Sequence, residues 1–242
     1  MLLGLLRDRG ALAMAFAIPP ALFLVLAAAF AQVSPELTRA GGAAGYYAGA
    51  VAIMFLLFSA AEGAIALVEE SASGSVERCL PSGADRARIL AGKFLFLTVL
   101  GCVQTALLFA VAWQVHDVPL TRAPWRWAAT TLAAAAAASA LGLAIAAACT
   151  SRKQAHAVSN AIILVCSAAG GSMVPRFAMP GWLRAAGRFL PTAWAIDAYQ
   201  GALIRNVAAA DLIAPWTALA ASAALALGFA LVMMGWHARR AA

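Results

Sequence analysis

The chain has 242 residues, 64% of them hydrophobic and only 11% charged, whereas soluble domains carry about a quarter charged residues and at most about half apolar ones. Such a composition excludes water as the main solvent. The net charge of +7 does not point to nucleic acid, because the arginines and lysines flank apolar runs instead of interleaving with aromatic residues on one face.

Apolar runs long enough to cross about 30 Å of hydrocarbon as helices recur along the chain. Six spans are expected, near Ala11–Ala31, Tyr46–Val68, Phe94–Val115, Trp127–Cys149, Ala157–Val174 and Pro215–Trp236. Alanine and leucine dominate and no apolar–polar alternation occurs, so the spans are helices and not barrel strands. The fold class is an all-α membrane protein forming one domain over residues 1–242.

The first run follows Arg7 and Arg9 and ends Ala29-Phe30-Ala31, which mimics a secretory signal with a small-residue cleavage site. It is longer than a usual signal core, and Pro19-Pro20 suits a kink packed against neighbouring helices, so it is taken as a span. Glu62 lies inside the second run. A carboxylate there is costly, about 2.5–3.5 kcal/mol for Asp on insertion scales, so Glu62 should face protein or water. Two readings stand: an intramembrane polar site, with Asn160 as a second polar group, or a side chain near the interface that snorkels or pairs locally.

Between the second and third runs lies EESASGSVERCLPSGADRARILAGK, from Glu69 to Lys93. The second helix should continue to the Ser71–Gly74 break. A short helix then fits Ser75–Leu80, stopped by Pro81, and Ser82 with Asp85 makes a capping-box-like start for the next helix. The short helix would lie across the membrane face with Glu77 and Arg78 beside Val76 and Leu80, an arrangement suited to docking. A solvated connection whose mixed charges only fix topology fits the local pattern equally well.

From Gly170 to Asp211 the chain is too apolar for a flexible loop. Gly170-Gly171 and Pro175 break the fifth run, Pro180 precedes one short helix, and Pro191 opens another. Leu183, Ala186, Phe189 and Leu190 recur at helical spacing in the first, and Trp182 and Trp194 supply amphipathic anchors. A pair of short re-entrant helices is expected before the last span. Asp197, near the second of them, is expected to be the most exposed acid.

With the N-terminus inside, Arg7, Arg9, Arg78, Arg86, Arg88, Lys93, Arg152, Lys153, Arg239 and Arg240 fall in the cytoplasm. Arg39, Arg122, Arg126, Arg176, Arg184, Arg188 and Arg205 fall outside, a moderate positive-inside bias. Trp113, Trp125, Trp127, Trp182, Trp194 and Trp216 gather at the outer interface and Trp236 at the inner one, as an aromatic belt would.

No catalytic centre is legible. Cys79, Cys102, Cys149 and Cys166 form no close metal-type pair, and His116, His156 and His237 are scattered. Gly92-Lys93 resembles the end of a phosphate-binding loop, but Phe94 replaces the required Ser or Thr and Ala87 the leading Gly. No nucleophile elbow occurs.

The two polar interruptions together resemble the membrane subunit of type-2 ATP-binding-cassette exporters. Glu70, Gly74-Ser75-Val76-Glu77, Pro81 and Gly92-Lys93 look like that family's Glu, Gly-Thr-Leu-Glu, Pro and Gly-Lys pattern. Gly170-Gly171, Pro175, Pro180, Trp182-Leu183, Pro191, Trp194 and Asp197 recur in the order and approximate spacing of its segment before the last span. Pro81 falls about one residue early, and the short stretch before the first run leaves the family's amphipathic N-terminal helix shortened or missing.

The resemblance implies a six-span export permease in the inner membrane with both termini cytoplasmic. It implies a homodimer bound to two copies of a cytoplasmic ATPase subunit, which would hold ATP and Mg, this chain binding no cofactor or metal itself. Glu70, Gly74, Ser75, Val76, Glu77, Arg78, Leu80 and Pro81 would then couple to the ATPase, and the segment from Gly170 to Asp197 would close the exit. The cargo stays unidentified, with an amphipathic, drug-like or lipid-linked molecule favoured. Two rivals stand: a membrane anchor or assembly factor that transports nothing, and a secondary carrier using Glu62 as an ion site.

Overall fold

The computed structural model describes residues 9–30, 42–72 and 86–241, and among these every regular element is helical. In chain order the helices are α1 (Arg9–Phe30), α2 (Gly42–Ala72), α3 (Arg86–His116), α4 (Pro124–Ala148), α5 (Arg152–Gly170), α6 (Gly181–Gly187), α7 (Pro191–Tyr199) and α8 (Ala209–Ala241). Four contain stretches long and apolar enough to cross a bilayer: Gly42–Ala66, Ala87–His116, Pro124–Ala148 and Ala209–Trp236. The apolar part of α1, Phe16–Phe30, is shorter. α5 is 19 residues long and begins with Arg152 and Lys153, which lowers its mean apolarity.

α4 is the hub. It packs most extensively against α8 and α2 and then α3, while α1 lies on α2 and α3, and α5 on α2. The alanine run Ala133–Ala138 makes this possible, because small side chains let helix backbones approach closely where no hydrophobic effect drives association. At Gly142 the α2 and α4 backbones approach closely: a Cβ there would lie 2.7 Å from the Ala60 carbonyl oxygen and 3.0 Å from the Ala61 nitrogen.

Exposure follows a lipid solvent. Leu95, Val99, Val103 and Leu107, four residues apart on α3, are 43–64% exposed and form an outward apolar stripe. On α8, Leu225 and Val232 point outward likewise. The polar residues of α4 point inward: Thr130, Thr131 and Ser139 are buried.

The helices start and stop somewhat differently from the periodicity. α5 begins at Arg152, five residues before the expected Ala157, because Ser151 caps it by accepting from the Gln154 N–H at 3.2 Å. It ends at Gly170 because Gly171 turns left-handed, with φ 106°. α8 begins at Ala209 and carries Pro215 inside it, where a start at Pro215 was expected. α1 keeps Pro19 and Pro20 within its length, with Pro19 buried.

Candidate functional site

α2 starts and α5 ends at the same end of the bundle, the far end, opposite the end at which α2 stops at Ala72. There the chain between α5 and α8 folds back over the helices. Its path runs through a 3-10 turn (Arg176–Ala178), α6, α7 and a π-helical turn (Gln200–Ile204). Pro180 stands at the N-cap of α6 and Pro191 at the first position of α7, where proline's fixed φ and missing donor cost nothing.

Gly170 and Gly171 have separate tasks. Gly170 is still helical, and a Cβ on it would collide with Thr192, so it lets α7 sit against the end of α5. Thr192 donates its hydroxyl to the Cys166 carbonyl at 2.8 Å across that contact. Gly171 supplies the left-handed turn, and its carbonyl accepts the Tyr46 hydroxyl of α2 at 2.7 Å.

Three arginines tie the cap together and to α4. Arg176 is ion-paired with Asp197, tying the 3-10 turn to α7. Arg205 donates to the Asp197 carbonyl at 3.1 Å. Arg126, in the first turn of α4, donates to the Asn206 side chain at 3.0 Å and to the Val207 carbonyl at 2.7 Å. Asn206 itself takes a positive φ of 46°, a conformation Asn tolerates better than most residues.

Beneath the cap, aromatic residues and hydroxyls join α7 and α8 to the hub. Tyr199 bonds the Thr131 hydroxyl at 3.1 Å, and Trp216 donates to Thr130 at 2.9 Å. Phe109 stacks on Tyr199 at 5.1 Å and meets Trp127 edge-on at 5.8 Å, geometries that aromatic quadrupoles favour.

The sequence-predicted residues of this segment, Gly170, Gly171, Pro175, Pro180, Trp182, Leu183, Pro191, Trp194 and Asp197, therefore lie within one folded-back cap. Within it Gly171 packs under the Arg176 side chain, which in turn pairs with Asp197, while Trp182 points away and is 73% exposed. One expectation is corrected: Asp197 is not the most exposed acid. Its side chain is 38% exposed, against 57% for Glu62, because Arg176 covers it. A second is refined, since α6 ends at Gly187 and leaves Phe189 and Leu190 in the turn beyond it. That turn is needed because Gly187 sits against the Ala169 backbone with no room for a Cβ.

At the opposite end, Glu62 contacts His156 Nδ1 at 3.1 Å, and Arg152 donates to His156 Nε2 at 3.3 Å. Asn160 is exposed one turn further along the same face of α5. This contact bridges α2 to the second turn of α5.

The residues expected to couple to an ATPase, Gly74, Ser75, Val76, Glu77, Arg78, Leu80 and Pro81, lie outside the described residues, as do Ser82 and Asp85; Glu70 lies within α2 near its described end. Among the described residues no three His, Cys, Asp or Glu side chains come together as a metal site. Sequence reasoning missed Tyr46, Arg176, Thr192 and Asn206. Only Asn206 carried a local signal, as an Asn between two helical runs.

A helical bundle with an inward polar hub, an outward apolar surface and a folded-back cap defines a polytopic α-helical membrane protein. The family model described as ABC-2 type transporter matches residues 1–204. The chain belongs to the ABC-2 type transporter family and is the permease component of an ABC transporter. No curated protein matches it.

Proposed function

We propose that this chain is an export permease that works as a homodimer with two copies of a cytoplasmic ATPase subunit. ATP and Mg would be bound by the ATPase and none by this chain. In this reading all of α1–α5 and α8 cross the inner membrane, with both termini in the cytoplasm. α5, at 19 residues and about 1.5 Å per residue, is close to the roughly 30 Å needed. Ser75–Leu80 is the coupling helix, and the cap from Gly170 to Asp197 is the outer gate. The cargo class suggested by the apolar spans is amphipathic, drug-like or lipid-linked.

The observation that carries this reading is the continuity of α2. It is one unbroken helix of 31 residues, about 45 Å long at 1.5 Å per residue. One end leads into the proposed coupling helix, and Tyr46 near the other end holds the cap at Gly171. Its long contact with α4, tight at Gly142, stiffens it against bending. A push from the ATPase at the cytoplasmic end would therefore reach the gate without needing a flexible joint.

The test is co-expression with a candidate ATPase subunit. Glu77→Arg with Val76→Asp should abolish permease-stimulated ATP hydrolysis and copurification; unchanged values would refute the coupling assignment. Cysteines at Trp182 should be labelled from outside in intact cells, and labelling only after permeabilisation would overturn the orientation. A carrier reading, with Glu62 as an ion site, is favoured only by the Glu62–His156 contact. It requires transport that follows a proton gradient with no ATPase present.

A further inference from the structure

A cleft of about 400 Å³ opens at the far end between the cap and the start of α8, a size in the range of small-ligand pockets, about 300–1,000 Å³. Trp194 and Asp197 of α7, Arg205 beyond the π turn, and Asp211 of α8 bring its polar groups, and Leu212 and Pro215 contribute to an apolar wall. Of the charges, Asp197 is already matched by Arg176, which approaches from the 3-10 turn. Arg205 commits one guanidinium nitrogen to the Asp197 carbonyl and keeps its other donors. Asp211 and Arg205 are both exposed and line the same cleft without forming an ion pair with each other.

The cleft thus offers one cation and one anion, separately available, beside an indole and above an apolar wall. We infer that it binds the headgroup of a zwitterionic phospholipid of the outer leaflet. The phosphate would accept from Arg205, whose planar fork suits phosphate oxygens. The ammonium would lie against Asp211 and the Trp194 ring, where carboxylate attraction and cation–π attraction add. The glycerol and upper chains would follow Pro215 and Ala218 down α8 toward the exposed Leu225 on the same face. An anionic lipid would satisfy Arg205 but meet Asp211 with like charge, so the site discriminates between lipid classes.

Several features favour lipid over a water-soluble zwitterion. The α8 surface below the cleft is apolar and outward-facing, with Ile213 55% and Leu225 76% exposed. Trp125 and Trp216 pack together at the same end, 6.2 Å between centroids, as residues of an interfacial belt do. The inference rests on the proposed orientation of the far end, but on neither ATPase pairing nor transport.

The experiment uses the full chain in nanodiscs of mixed phosphatidylethanolamine and phosphatidylglycerol, with retained lipid counted by native mass spectrometry. The wild type should retain phosphatidylethanolamine about tenfold over phosphatidylglycerol, the scale of one charge-assisted hydrogen bond. Asp211→Asn should bring that ratio close to one. Arg205→Gln should lower retention of both lipids, and Arg205→Lys should restore part of it.

Asp211 is exposed and unpaired, so its variant keeps the assay readable should Arg205→Gln disturb the cap. A wild type without preference, or an Asp211→Asn protein that keeps it, overturns the site. Equal binding of soluble glycerophosphoethanolamine in detergent overturns the lipid source. A negative lipid result leaves the ATPase-stimulation assay standing, and failed stimulation leaves the lipid ratio readable.

Discussion

Replacing Gly142 by alanine tests whether the α2–α4 contact is the rigid spine that the proposed mechanism needs. A Cβ at that position meets main-chain atoms, 2.7 and 2.8 Å from the Ala60 oxygen and carbonyl carbon. Backbone inside a packed helix cannot swing aside as a side-chain tip can, so the helices must separate. Overpacking of this kind costs about 1–3 kcal/mol, against which alanine regains about 1 kcal/mol of helix propensity over glycine. Gly228 of α8 has nothing within 4 Å of its Cβ position, so Gly228→Ala isolates the propensity gain alone.

The difference between the two variants is then the steric cost, about 1–3 kcal/mol. At roughly 2–4 °C per kcal/mol for chains of this size, Gly142→Ala should melt about 2–12 °C below Gly228→Ala. Gly101→Ala should fall between them, because its Cβ would meet the movable Leu56 Cδ2 at 2.7 Å. The measurement is thermal unfolding in one detergent, followed by fluorescence-detected size exclusion. If Gly142→Ala melts with Gly228→Ala, the helices are not in backbone contact there and the rigid-spine reasoning fails.

Other outcomes follow from the cap and the near end. A double-mutant cycle of Arg176→Gln and Asp197→Asn should give a coupling of about 1–2 kcal/mol, between exposed and buried pairs, read as stability in detergent; additive singles would deny the pair. Tyr46→Phe leaves the Gly171 carbonyl without its buried donor, and should cost about 1–3 kcal/mol while raising cysteine reactivity at Thr192; unchanged stability and labelling would show that Tyr46 does not hold the cap. His156→Ala should cost less than about 1 kcal/mol, since the contact with Glu62 is substantially exposed, and a larger melting shift would point to a buried role.

How much was legible depended on the range of the interaction. The cap's turns could be read because Gly171, Pro180 and Pro191 act through their own backbone, and local chemistry shows in local sequence. The start of α5 was also readable: Ser151 with Gln154 three residues later has the capping-box form, yet the apolar run drew attention to Ala157 instead. Arg176 with Asp197 and Tyr46 with Gly171 join residues 21 and 125 apart. No local pattern announces such partners, because packing chooses them. Asp197 was misjudged for that reason, as its exposure depends on an arginine from another turn.

The same arginines explain why the charge asymmetry is only moderate. The positive-inside rule weighs lysines and arginines that sit in loops near span ends. In the orientation proposed here, Arg126, Arg176 and Arg205 belong to the outer side, but each is engaged in the folded cap: with Asn206 and Val207, with Asp197, and with the Asp197 carbonyl. Asn or Leu could not replace them, because each spans a gap between elements with a long stem and several donors at its tip. In that orientation their presence outside reflects the need to hold a folded-back segment to a bundle whose helices meet mostly through small and apolar side chains. The arginines and lysines assigned to the cytoplasm carry the topological signal, and a count that weighs the cap's three equally understates it.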